Sequence, residues 1–189
     1  MPKKKLPVDP KSLAVLLIDM QESFVKRLRK RDIAVIIPNQ KRVLRWCATF
    51  DLPLVVLVYD DFGLEKDIIP ELRSEADKVP RCLTVKKRWD NGFFQTGLEA
   101  HLRSIGARHL LITGVNATGC VLKTAGAAIG LGFSLVVAEN LVADATRTCF
   151  RGCNKSLDWY RPNAVFRKEA GRLRPVLNLS YPRQEKFVL

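Results

Sequence analysis

The stretch Leu110–Val121 reads LLITGVNATGCV and leads, after Leu122, into the helical pattern KTAGAAIGLGF. An apolar run ends at Gly114, and a turn of small residues brings Cys120 to the start of the predicted helix. Unpaired backbone N–H groups and the helix dipole gather positive potential there, which stabilises a thiolate, the nucleophilic form of cysteine. Cys120 is therefore a candidate nucleophile, predicted to be the most acidic and most readily alkylated thiol. A small buried cysteine in a strand-to-helix turn is the alternative.

Length and composition fit one globular domain, 1–189, with a basic segment over residues 1–11 and an irregular tail over residues 171–189. The 47% hydrophobic and 27% charged residues are typical of a soluble protein. No apolar run approaches the ~18 residues that a transmembrane helix needs, so we expect no membrane partner. The start, MPKKKLPVDPKS, does not have the pattern of a secretory signal.

The cysteines are scattered along the chain, and their number is odd. In a chain that alternates strands and helices, this pattern favours reduced thiols and a cytoplasmic location over a disulfide framework. We expect all five thiols to be free: Cys47, Cys82, Cys120, Cys149 and Cys153.

The formal net charge of +13 favours anionic partners, of which nucleic acid is one. The basic residues are dispersed, and no motif that reads RNA or DNA accompanies them. This pattern favours solvated basic faces, with a nucleic-acid-binding or interaction module kept as the alternative function. The basic clusters lie at Lys3–Lys5, Lys26–Arg31, Lys41–Arg45, Lys86–Arg88 and Arg167–Arg174.

Strands and helices alternate along the chain, which predicts a three-layer, Rossmann-like α/β/α fold with helices on both faces of a mostly parallel, six-stranded sheet. Strands are predicted over Leu13–Ile18, Leu54–Tyr59, Leu83–Lys86, His109–Thr113, Phe133–Ala138 and Ala164–Phe166. Helices are predicted over Ile33–Thr49, Pro70–Glu75, Gly97–Ser104, Gly119–Gly130 and Asp144–Tyr160.

Three chemically active side chains follow strands of this sheet. Asp19 follows the first strand, Lys87 the third, and Cys120 the turn after the fourth. Ligands of such sheets bind beyond the carboxyl ends of the strands, so we expect the acid, the amine and the thiol to converge there. The alternatives are a turn-capping role for Asp19 and an ordinary surface charge at Lys87.

Three segments together resemble the isochorismatase-like cysteine hydrolases: LLIDMQESF, KRWDNGFFQTGLEAHLRSIG and GVNATGCV, in the expected order. The resemblance implies a catalytic triad of Asp19, Lys87 and Cys120, and a cis peptide bond at Val115–Asn116. It also implies the family's fold and a homo-oligomer, either a dimer or a tetramer. The chain departs from the family pattern at Glu22-Ser23 and at Asn91, which affects substrate contacts and leaves the triad intact.

The resemblance implies no metal ion and no cofactor for this chain. Nicotinamidases of the family carry metal-binding histidines after the second strand, where this chain has none; its two histidines are His101 and His109. The presence of Cys120 favours the branch that hydrolyses amide or ureide C–N bonds through a thioester acyl-enzyme.

The roles implied by the resemblance give a mechanism. Asp19 takes the proton of Cys120, Lys87 stabilises the negative charge, and N–H groups of Cys120 and of the turn Asn116–Gly119 stabilise the oxyanion. A carboxylate beside a thiol raises the pKa of the thiol, so Asp19 acts against the helix dipole. Candidate pocket walls are Phe24, Trp89 and Phe93, with a core position as the alternative for each. The substrate itself is not readable from the sequence.

Overall fold

The computed structural model describes residues 8–60, 67–145 and 157–179. In it, the apolar segments of the chain form one parallel sheet of seven strands. The spatial order is β3-β2-β1-β4-β5-β7, and β6 pairs with the end of β4. The strands are β1 Leu13–Ile18, β2 Leu54–Tyr59, β3 Cys82–Lys87, β4 His109–Val115, β5 Ser134–Ala138, β6 Val142–Ala143 and β7 Ala164–Arg167.

Helices cover both faces of the sheet, because alternate residues of the buried strands enter two separate cores. In β1, Leu13, Val15 and Leu17 pack with the long helix α2, whereas Leu16 and Ile18 pack with α4 and α5. This is the predicted three-layer α/β/α fold. The helices are α1 Glu22–Val25, α2 Lys30–Phe50, α3 Pro70–Ala76, α4 Leu98–Ser104, α5 Cys120–Gly130 and α6 Tyr160–Asn163.

The sheet has one strand more than the six predicted. The additional strand, β6, has only two residues, Val142–Ala143, which is too short to produce a hydrophobic pattern of its own. Helix α2 begins at Lys30, three residues before the predicted Ile33, and continues through Pro38, whose side chain is exposed.

The predicted helix Asp144–Tyr160 is wrong at its start, because Asp144 and Ala145 are not helical. Asp144 instead accepts hydrogen bonds from the backbone and the hydroxyl of Thr118. Most of the remaining predicted helix, including Cys149 and Cys153, lies outside the described residues. Thiols that the structure does describe are free: Cys47, Cys82 and Cys120.

The tail beyond β7 packs on its own domain as far as the structure describes it. A 3₁₀ turn spans Ala170–Leu173, and the side chains of Leu173, Leu177 and Leu179 enter the core on the α2 side of the sheet. None of the helices in the described ranges is both long enough and apolar enough to cross a membrane.

Candidate active site

Asp19, Lys87 and Cys120 converge at the carboxyl edge of the sheet. Asp19 follows β1 directly, Lys87 is the last residue of β3, and Cys120 opens α5 after β4. Lys87 Nζ donates a hydrogen bond to Asp19 Oδ2 at 2.8 Å, across 68 residues of sequence. The Cys120 thiol lies close enough to both groups for their charges to act on its pKa. The structure thus brings together the three residues named from the sequence.

The Asp19–Lys87 ion pair is buried, with 1% and 0% of the two side chains exposed. Lys87 Nζ also donates to the carbonyl of Trp89 at 3.2 Å and lies 4.8 Å from the centre of the Tyr59 ring. Burial raises the pKa of Asp19, and the positive charge of Lys87 opposes that rise. Asp19 Oδ1 is buried without a hydrogen-bond partner. The site therefore contains a carboxylate oxygen available to accept a proton.

The surroundings of the Cys120 thiol disfavour its ionisation. Burial raises its pKa, the negative charge of Asp19 raises it further, Lys87 opposes the rise, and Asp90 adds to it. Burial and two carboxylates thus act against the helix N-terminus, as the sequence predicted for Asp19. That Cys120 is the most acidic and most readily alkylated thiol stays a prediction. Its Sγ hydrogen-bonds to Asp90 Oδ1 at 3.4 Å, a partner that the sequence did not reveal.

The turn before Cys120 leaves few backbone donors for a ligand. The Val115–Asn116 peptide bond is cis. Three N–H groups of the turn already donate within the protein: Ala117 to Ala143 O, Thr118 to Asp144 Oδ1 and Gly119 to Asn116 O. The N–H of Cys120 opens α5 and has no acceptor within that helix. The N–H of Gly119 is thus engaged within the protein, and the oxyanion roles of Gly119 and Cys120 stay predictions.

A glycine, Gly114, permits the close approach of β1 and β4 beside this turn. Gly114 pairs with Ile18 and has φ +130°. A Cβ at Gly114 would clash with the backbone carbonyl of Ile18. Glycine is therefore required here, and it lets β4 deliver its turn next to Asp19.

Gln21 clamps the ends of β1 and β2 together. Its side chain donates to the carbonyl of Tyr59 and accepts from the N–H of Tyr59, both at 2.8 Å. Gln21 is fully buried, so these bonds satisfy polar groups that would otherwise lose hydration. The clamp fixes Asp19 relative to the aromatic ring that contacts Lys87.

A cavity of about 430 Å³ opens next to Asp90, the hydrogen-bond partner of the thiol, and is lined by Tyr59, Trp89, Asp90, Asn91, Phe94 and Lys123. Trp89 and Phe94 are about half exposed and meet edge to face, with ring centres 5.7 Å apart. The indole Nε1 of Trp89 donates to Gln95 Oε1 at 3.2 Å, which fixes the ring at the mouth of the cavity.

The structure supports only part of the predicted pocket wall. Trp89 lines the cavity, as predicted. Phe93 does not, because it stacks on Phe133 at 5.9 Å and packs against the core; its neighbour Phe94 takes the cavity position. Phe24 lies behind the wall, edge to face with Tyr59 at 6.1 Å.

Helix α5 holds the loop that carries Asp90. Thr124 Oγ1 accepts a hydrogen bond from the N–H of Gly92 at 2.9 Å and donates to the carbonyl of Asp90 at 3.3 Å. Thr124 and Cys120 lie one turn apart on α5, so the same helix positions the thiol and its partner carboxylate. Two of the residues that line the cavity each follow a predicted catalytic residue by three positions: Asp90 follows Lys87, and Lys123 follows Cys120. This spacing is the one feature of the sequence that could have indicated them.

The described residues contain no cluster of potential metal ligands. No three His, Cys, Asp or Glu side chains lie together there in an arrangement that would hold a metal ion.

Comparison with known proteins identifies the relatives of this chain. Residues 13–151 match the isochorismatase domain family. Streptothricin hydrolase of Streptomyces noursei is 32% identical over 132 residues, which are 67% of this chain and 48% of that protein. The chain thus spans about half the length of that relative. The ureidoacrylate amidohydrolase RutB of Caulobacter vibrioides is 23% identical over 221 residues, covering 90% of this chain and 96% of that protein.

Solved structures show the same fold. An isochorismatase-like hydrolase from Alkaliphilus metalliredigens superimposes with a TM-score of 0.70 at 22% identity, covering 85% of this chain and 96% of the other.

Proposed function

The chain belongs to the isochorismatase domain family, and on that premise we propose that it is a cysteine-dependent hydrolase of an amide or ureide C–N bond in a small substrate. Asp19, Lys87 and Cys120 are the catalytic residues of this proposal. One observation carries it: a buried acid–amine pair, with an unused carboxylate oxygen, lies beside a thiol whose hydrogen-bond partner Asp90 lines a cavity.

The first step is activation of the thiol. Asp19 Oδ1 accepts the Sγ proton as the sulfur attacks, and the electron pair of the S–H bond becomes the attacking pair. Lys87 stays protonated and hydrogen-bonded to Asp19 Oδ2, so it compensates the negative charge as that charge moves from carboxylate to sulfur. The raised pKa of Asp19 favours its role as proton acceptor.

Acylation and deacylation follow. The thiolate adds to the substrate carbonyl, and the N–H of Cys120 stabilises the oxyanion; losing such a donor typically costs on the order of 3 kcal/mol in the transition state. The C–N bond breaks, its electron pair returns to nitrogen, and protonated Asp19 gives nitrogen the proton. Water, deprotonated by Asp19, then attacks the thioester, and the acid product leaves with Sγ protonated again.

The two curated relatives support the choice of bond. One is named for the hydrolysis of streptothricin and the other for the hydrolysis of the amide bond of ureidoacrylate. A cavity of about 430 Å³ is suited to a small molecule.

The test is a panel of small amides and ureides assayed for ammonia release, with the native protein compared with Cys120→Ala. We expect at least one compound to be hydrolysed, and the Cys120→Ala variant to lose about a thousandfold or more in kcat. Cys82→Ala is the matched control, because Cys82 is a free, half-buried thiol on β3 at the far edge of the sheet order. Hydrolysis that survives Cys120→Ala would contradict the assignment of the nucleophile.

A further inference from the structure

We infer that Asp90 and Lys123 select the substrate, which is an amide or ureide with an anionic group a few bonds from the scissile carbonyl. Asp90 accepts hydrogen bonds from the N–H groups of the scissile unit, and Lys123 pairs with the anion. This inference rests on the proposed function, and it names the class of substrate for the same site.

Lys123 supplies a positive charge to the cavity. It lies on α5 three residues after Cys120, and such neighbours on a helix surface have Cβ atoms about 5–6 Å apart. It lines the cavity, and its ammonium forms no ion pair within 4.0 Å with any residue that the structure describes. The charge is therefore available to a ligand whose reacting carbon contacts the thiol.

Asp90 supplies the opposite charge at the reacting end. Its Oδ1 accepts a hydrogen bond from Sγ of Cys120 at 3.4 Å, and Thr124 holds its backbone. Once the carbonyl carbon of a substrate contacts Sγ, the nitrogen of the scissile bond lies within reach of this carboxylate. Asp90 then exchanges the thiol for an N–H donor, and the thiol proton is free to pass to Asp19.

The two charges fix the direction in which a substrate lies. An anionic group beside Asp90 would meet a like charge, whereas beside Lys123 it meets an opposite one. Between the two, the rings of Trp89 and Phe94 form an apolar wall that is already held in place by their mutual contact. A substrate with N–H donors at one end and an anion at the other matches this order of groups.

The test measures charge preference at Cys120 with two alkylating agents of nearly equal size, anionic iodoacetate and neutral iodoacetamide. The same thiolate attacks both reagents and displaces iodide from each, so a change in thiolate fraction cancels in the ratio of their rate constants. The rates are followed for the Cys120 peptide by mass spectrometry, in the folded protein at low salt. We expect the iodoacetate-to-iodoacetamide ratio to fall about threefold in Lys123→Met and further in Lys123→Glu. In Asp90→Asn the ratio rises.

A control variant separates local charge from net charge. Lys11→Met removes one positive charge before β1, at the edge of the sheet opposite the site, and leaves the ratio unchanged. Equal ratios in the native protein and Lys123→Met would overturn the inference. So would an equal fall in Lys11→Met, because the effect would then follow the net charge.

The second measurement is the rate of hydrolysis, which distinguishes a failure of this inference from a failure of the proposed function. For an anionic amide such as succinamate and its neutral analogue succinamide, Lys123→Met lowers kcat/KM for the anionic compound alone. Hydrolysis that depends on Cys120 but ignores position 123 would overturn this inference and leave the proposed function standing. Hydrolysis of both compounds that persists in Cys120→Ala would overturn both.

Discussion

At the scale of single residues, the surroundings of Cys120 favour the protonated thiol over the thiolate. Burial and the carboxylates of Asp19 and Asp90 raise the pKa of the Cys120 thiol, and Lys87 compensates only in part. A helix N-terminus alone would have the opposite effect. In the proposed mechanism, the thiolate is therefore formed during the reaction, by proton transfer from Cys120 to Asp19.

The pH dependence of turnover tests the role of Asp19. Burial raises the pKa of its carboxyl above the ordinary 3.8, and the base must be ionised to take a proton. Activity is therefore full above the raised pKa and falls as the pH drops through it, with a midpoint above 3.8. In Lys87→Met the midpoint moves to higher pH, because the charge that lowers the pKa of Asp19 is gone. The measurement is kcat/KM against pH, with circular dichroism to confirm folding, and a midpoint at or below 3.8 would contradict this role.

The sequence predicted the site residues that lie at or near the ends of strands. It did not predict those on the loop after β3 and on helix α5. Asp19, Lys87 and Cys120 each follow or end a strand of a parallel sheet, so topology alone predicted their convergence. The choice between Phe93 and Phe94 depends on the orientation of a loop that has no regular period. Side chains such as Asp90 and Lys123 are ordinary charges in the sequence, and only the cavity wall distinguishes them.

At the scale of elements, the contact between α5 and the loop after β3 aligns the nucleophile with its partner carboxylate. Thr124→Val keeps the shape of the side chain and removes both hydrogen bonds that hold this loop. Since the N–H of Gly92 is then left buried and unpaired, we expect a loss of about 1–3 kcal/mol in the free energy of unfolding, and a rise in KM. Urea unfolding and steady-state kinetics measure the two effects.

Thr84→Val is the matched control for that variant, because Thr84 lies exposed on the edge strand β3. If Thr124→Val changed stability and KM no more than Thr84→Val does, the proposed link between α5 and the loop would be wrong.

The longer elements were predictable because burial on both faces leaves a continuous apolar run, as in β1 and β2. Strand β6 was missed because two residues carry no period. Helix α2 begins three residues before the predicted start at Ile33, which was missed because the charged residues Lys30–Asp32 include no apolar position that would mark them as helical.

At the scale of the whole molecule, the segment after β7 closes one of the two cores. Leu177 is fully buried there, so we expect Leu177→Ala to cost about 2–5 kcal/mol in the free energy of unfolding. Truncation after Ala170 lowers the melting temperature further, because it removes Leu173 and Leu179 as well. Thermal unfolding measures both, with the exposed Arg172→Ala as the control. A melting temperature unchanged by the truncation would show that the segment is dispensable to the domain.

Other properties of the whole molecule remain predictions. The single domain over 1–189, the homo-oligomer, the cytoplasmic location and the solvated role of the +13 charge rest on sequence alone. These properties depend on how the surface of the protein interacts with other molecules, whereas the position of the site depends on the order of the strands. Binding to nucleic acid, if present, would weaken steeply with salt and would persist in Cys120→Ala.

The central claim, that Cys120 forms a thioester with its substrate, is tested most directly by trapping the acyl-enzyme. An amide that releases ammonia is mixed with the native protein, the reaction is stopped in acid within the steady state, and peptides are mapped by mass spectrometry. We predict an acyl group on Cys120 that hydroxylamine removes, and none in Cys120→Ala, which also ceases to release ammonia. Steady ammonia release with no acyl group on Cys120, or with the group on another residue, would contradict the claim.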